Sequence, residues 1–290
     1  MGIAEPFDLE DHRRSAHRAL GEYFSVREFE EAPLDREAIV ATAYLRAVEH
    51  ATVARMLPLG LAHPDERVRG LAEVWAAERQ GIADALGEVL AASPQIRGID
   101  HRPPEPAVVA HPLRDRACLL LAGPLALALA VDARVAVHAY RRLARVSLHP
   151  EMERLAETIT GILERQADFF TVQAAARVGR PLRRRVVAAG LLAVLRLPIG
   201  EAELPEELAH EGRELVFGRD DGGLDGIDAG IVATFALPCT AARRLVHPYR
   251  PTSIRAAHRL GRLAADTRAA VETLLDQVRE ETQRGATAPW

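Results

Sequence analysis

A carboxylate and an imidazole three residues apart on a helix face the same way, and the chain has one Glu-x-x-His, "ELAH" at Glu207 to His210. A lone Glu-x-x-His can ligate zinc or iron, but a single pair recurs by chance, and an exposed amphipathic helix is the expectation. His50 and His138 fall on helical stretches, where a histidine serves as acid or base or as a hydrogen-bonded structural side chain; the structural role is expected. "RDDGGLDGID" carries Asp220, Asp221, Asp225 and Asp228 without the ordered spacing of a calcium loop, so it reads as a flexible acidic turn. There is no lysine anywhere, which removes both a P-loop and a Schiff-base amine. No Gly-x-Ser-x-Gly is present, and Cys118, in the apolar run "RACLLLAG", has the setting of an inert thiol.

Arginine supplies all 37 basic residues and is concentrated in "RVGRPLRRR" and "RRLVHPYRPTSIR". Guanidinium groups suit phosphate, so Arg183, Arg184 and Arg185 could meet an acyl carrier protein or a coenzyme A tail, although solvated or salt-bridged arginines are the plainer expectation. A net charge of -4 and a pI near 6.3 give no basic footprint for nucleic acid. Cys118 and Cys239 lie far apart in apolar surroundings, which predicts reduced thiols, no disulfide and a cytoplasmic protein. The start shows no signal peptide, and the longest apolar run, Cys118 to Val131, is shorter than a bilayer span. That run predicts a helix buried on all sides.

The elements that must position these groups are helices. Aromatic content of 4% is low for a sheet protein, and no stretch alternates with period two. Residues 1–34 form a leader with helical spacing in "LEDHRRSAHRALGEYF" and a loop in "EEAPLD". One long helix should start at an Asp35 cap and stop at Pro58 and Gly60, and a second should run from "HPDE" to about Ala92. A third covers about Leu113 to Val146, bent at Pro124, and Pro150 opens a fourth that ends near Gly179. Between the second and third lies the Pro-rich "SPQIRGIDHRPPEPAVVAHP", too long for a hairpin loop. Two helical hairpins joined by one long crossover predict an all-α, ferritin-like four-helix bundle over residues 35–179, with residues 180–290 as a C-terminal helical extension packed on it.

Two stretches of this bundle resemble the acyl-carrier-protein (stearoyl-type) desaturase branch of the ferritin-like diiron superfamily. "VWAAERQGIADALGEVLAAS" is similar to the family's second bundle helix, with Trp75, Ala77, Glu78, Asp84, Leu86, Leu90 and Ser93 in step. "YRRLARVSLHPEMERLAETITGILERQADFF" is similar to the segment leading into its fourth, with Arg142, Leu143, Ala144, Thr158, Ile159 and Phe170 matching. The resemblance spans roughly residues 35–178. It implies that the first ligand Glu falls on Glu49, which is kept. Where the family has further ligands, this chain has Arg79 and Ile82 on the second helix, Ala130 on the third, and Leu163 and Gln166 on the fourth. A one-residue shift recovers Glu78 and Glu164 but pairs them with Gly81 and Ala167, so neither register gives a Glu-x-x-His.

The resemblance therefore implies a bundle without its diiron chemistry, since Leu, Ile, Ala and Arg cannot ligate iron. Arg79 should pair with Glu49 inside the old site. No cofactor and no metal are expected. The leading expectation is a cofactor-free enzyme of isomerase, cyclase, dehydratase or hydrolase type. It would act on a hydrophobic acyl or polyketide-like metabolite of bacterial specialised metabolism, with Glu49 as acid or base and Arg79 and Gln166 orienting the substrate. The alternative is a non-catalytic pseudoenzyme holding a hydrophobic ligand or a partner, with a dimer face on the bundle. A third is a metal centre built from Glu49, Glu78, His138 and Glu164. The discriminator is whether Ile82, Ala130 and Leu163 line an opening or pack a closed core.

Overall fold

The computed structural model describes residues 20–61, 66–93, 115–178 and 198–218, together with Arg14, Ala16, Ile227 and Phe235. These residues form helices and turns, with no strand among them. In chain order the helices are α1 (Val26–Glu31), α2 (Arg36–Leu61), α3 (Glu66–Ala92), α4 (Asp115–Ser147), α5 (Pro150–Val178) and α6 (Glu206–Phe217), with a 3-10 turn at Ile199–Glu203 before the last.

Asp35 caps α2 as its type predicts, its Oδ1 accepting the Ala38 N–H at 2.7 Å. The expected stop at Pro58 is overridden, because α2 continues through it to Leu61. Only the last turn lies beyond the proline, so the chain loses one ladder bond near an end where carbonyls are already unpaired. Gly60 holds that turn against α3, where a Cβ would meet Ala72 Cβ at 2.5 Å. The helical spacing expected up to Phe24 is corrected too. Residues 21–24 are turn and bend, and the helix comes later as α1, which takes in Glu30 and Glu31 of the expected "EEAPLD" loop.

Side-chain contacts give the helix directions. Gly60 meets Ala72 and Gly87 meets Arg46, so α2 and α3 are antiparallel. Arg134 donates to Thr171 and Arg141 pairs with Glu164, so α4 and α5 are antiparallel as well. Trp75 packs edge-on against Phe170 while Arg79 reaches Gln166, which runs α5 against α3. Phe29 stacks on His149, and the Ser25 N–H donates to Glu151, so α2 and α5 start at the same end. The order is therefore up, down, down, up, with α2 beside α3 and α4, and α5 beside α4 and α3.

The end of α3 and the start of α4 consequently stand at opposite ends of the bundle. The 27-residue α3 is about 40 Å long, and the chain between Ala92 and Asp115 links those ends. From Gly123 to Tyr140 every α4 side chain is buried or half-buried, as its apolar run predicts. The apolar side chains of all four helices join one core, which includes Leu86, Leu127, Leu143 and Ile159. After the bundle, the 3-10 turn and α6 lie against α2, and α6 also touches α4. No helix among the described residues is long and apolar enough to cross a membrane.

Candidate functional site

At the middle of the bundle stands one guanidinium. Arg79 of α3 is 1% exposed, and each of its three nitrogens reaches a different helix. Nη1 donates to Glu49 Oε2 of α2 at 2.7 Å, Nη2 to Asp132 Oδ2 of α4 at 3.1 Å, and Nε to Gln166 Oε1 of α5 at 3.0 Å. A planar fork with fixed donor directions can join three acceptors in this way, where an ammonium could not hold the same geometry. The Trp75 ring lies 6.0 Å from the guanidinium carbon.

The remaining atoms of these acceptors are used as well. Tyr140 donates its hydroxyl to Glu49 Oε1 at 3.1 Å, and the Ile199 N–H donates to Asp132 Oδ1 at 2.8 Å. Gln166 Nε2 donates to Glu78 Oε2 at 2.8 Å, and Arg165 approaches the other Glu78 oxygen at 3.5 Å. Glu49, Glu78, Arg79, Asp132, Tyr140 and Gln166 are all between 0% and 2% exposed. The network is therefore almost wholly covered by protein.

Burial raises the pKa of Glu49 against the pull of Arg79, and the nearby Asp132 pushes it further the same way. Burial raises Asp132 too, opposed by Arg79 and by the Ile199 N–H. For Arg79 the sense is reversed, since Glu49 and Asp132 outweigh burial and hold its charge more firmly. Tyr140 is pushed well above its ordinary range by burial and by the Glu49 charge. One cation thus faces two buried carboxylates, and burial shifts both carboxyls in the direction of the protonated form.

Glu49, Arg79 and Gln166, which the resemblance singled out, are brought together, and the expected Arg79 to Glu49 pair is present. Ile82 and Leu163 are 0% exposed and Ala130 is 2% exposed, all within the apolar core. The alternative ligand set does not converge. Glu164 is exposed and bound to Arg141 at 2.6 Å, and His138 stacks on Phe217 at 6.2 Å, so only Glu49 and Glu78 of that set reach the centre. Among the described residues no group of three or more His, Cys, Asp and Glu side chains is placed to hold a metal ion. The residues at the positions that the resemblance would make ligands do not fit a diiron centre: Arg79 brings a positive charge, and Ile82, Ala130 and Leu163 are hydrocarbon.

Glu207 and His210 are exposed on α6, and His50 is half-buried, with its pKa lowered by burial and by Arg46. Cys239, the Asp220 to Asp228 turn and the arginines at 183–185 and 243–255 lie outside the described residues, as does the Cys118 side chain. The sequence reading missed Asp132 and Tyr140. Asp132 had a signal, being the one charged residue between Arg116 and Arg134, on a helix expected to be buried all round; such a group must find a partner. No protein-family model, no curated protein and no solved structure matches this chain.

Proposed function

We propose that this chain is a ferritin-like bundle, akin to the acyl-carrier-protein desaturases, in which a permanent charge network stands where the relatives hold metal. In this reading it is a non-catalytic cytoplasmic protein that binds a hydrophobic ligand or a partner. The up, down, down, up order supports the first part, since two hairpins with a single end-to-end connection is the ferritin-like arrangement. The second part is carried by one observation: a sealed Arg79 takes one acceptor from each of the other three bundle helices. Acid or base catalysis needs hydrogen-bond reach to a substrate, and Glu49, Arg79 and Gln166 spend their polar atoms on each other and on their neighbours. Their role is then to fix the bundle. An acyl thioester or an acyl carrier protein met by Arg183, Arg184 and Arg185 remains the partner chemistry that fits the resemblance.

Arg79→Met tests this. It leaves Glu49 and Asp132 buried without a cation, and urea unfolding should show a loss of about 3–5 kcal/mol. The triple variant Arg79→Met, Glu49→Gln, Asp132→Asn removes all three charges together and should regain most of it. If Arg79→Met is as stable as the wild type, the network is not structural.

The cofactor-free enzyme has one observation in its favour, the raised pKa of buried Glu49, which is the direction a general acid needs. It requires a substrate path to the centre. Turnover of an acyl thioester that Glu49→Gln abolishes would restore it.

A further inference from the structure

Residues 198–217 are pressed onto the bundle at two glycines. A Cβ on Gly200 would stand 2.3 Å from the Val48 carbonyl oxygen and 2.7 Å from the Thr52 nitrogen, and one on Gly212 would stand 2.3 Å from Tyr44 Cβ. Tyr44, Val48 and Thr52 recur every fourth residue and so form one stripe along α2. The polar ties follow the same stripe. The Gly200 N–H donates to Thr52 Oγ1 at 3.1 Å, and the Tyr44 hydroxyl donates to Glu201 Oε2 at 2.6 Å. Arg213 of α6 folds back to Glu201, which braces the segment on itself. The Ile199 N–H reaches Asp132, the same carboxylate that holds Arg79.

We propose that residues 198–217 form a releasable strap that seals the α2 and α4 side of the buried centre and is latched to it through Asp132. This rests on the reading of a closed centre. A five-residue 3-10 turn and a 12-residue helix are too short to persist alone in water, so once unseated the segment opens as a unit. The bundle helices are joined to each other by Arg79 and by their own apolar side chains, and Ile199, Val216 and Phe217 of the strap add to the edge of that core. Release uncovers the Tyr44 and Thr52 hydroxyls and one face of Asp132 along a single seam.

Hydrogen–deuterium exchange by mass spectrometry on the full chain is the test. In the wild type, peptides from 198–217 should exchange through openings that leave α3 and α5 protected. Gly200→Ala cannot seat the turn and should speed exchange in 198–217 and in 44–52 by about tenfold or more. Tyr44→Phe deletes only the hydroxyl tie and should move the same peptides in the same direction by less. The proposal is overturned if 198–217 is as protected as α3 and α5 and both variants lower protection evenly along the chain. Failure of the closed centre would look different, with fast wild-type exchange at 75–82 before any strap variant is made.

Discussion

A guanidinium and a pair of metal ions solve the same problem in opposite ways. Both hold carboxylates together at the middle of a bundle, but the metal needs several anionic ligands and an open position, whereas Arg79 needs only acceptors in its plane. The meeting of Arg79, Glu49 and Gln166 was readable from residue types once the helices were aligned, because the three share a level along the bundle. Asp132 was missed although a lone charge on an otherwise apolar helix marked it, because the resemblance points to Ala130, two residues away.

The raised carboxylates set a pH dependence. Glu49 and Asp132 bind protons more tightly folded than unfolded, so their contribution to stability is greatest at low pH and declines as pH rises above their ordinary values of 4.5 and 3.8. Glu49→Gln has no such proton to lose at that site. Its stability relative to the wild type should therefore improve between about pH 5 and pH 8 in paired urea titrations. A relative loss over that range would mean that the Arg79 pair outweighs burial and holds the carboxylate ionised.

At the scale of the helices, caps and breakers decide ends while neighbours decide which glycines matter. Asp35 and Pro150 announced their helices, and the short α1 went unseen because six residues carry too little periodicity to read. Pro58 misled, because tertiary packing at Gly60 outweighs a breaker in a last turn. Two substitutions separate these effects. Gly161 has nothing within 4 Å of a built Cβ, so Gly161→Ala should stabilise the chain by roughly 0.5–1 kcal/mol through helix propensity alone. Gly60→Ala gains the same propensity but collides with Ala72, and overpacking of this kind costs about 1–3 kcal/mol. Thermal unfolding of the two variants should shift in opposite directions.

At the scale of the whole molecule, the all-helical architecture of the described residues and the two-hairpin connectivity were legible because long amphipathic and apolar stretches of 26–33 residues leave few alternatives. The closure of the centre was not legible. Ile82, Ala130 and Leu163 are compatible with an apolar slot or with a packed core, and only their burial beside a saturated Arg79 distinguishes the two. Nor could the sequence show that the segment after the bundle lends a backbone N–H to the network, because Ile199 carries no side-chain signal for it.

The central claim is that a protein cation occupies the place of metal. Elemental analysis of protein made in iron- and manganese-supplemented medium, purified without chelator or histidine tag, tests it most directly. The account predicts far less than one metal ion per chain, whereas about two per chain, the content of a diiron bundle, would contradict it.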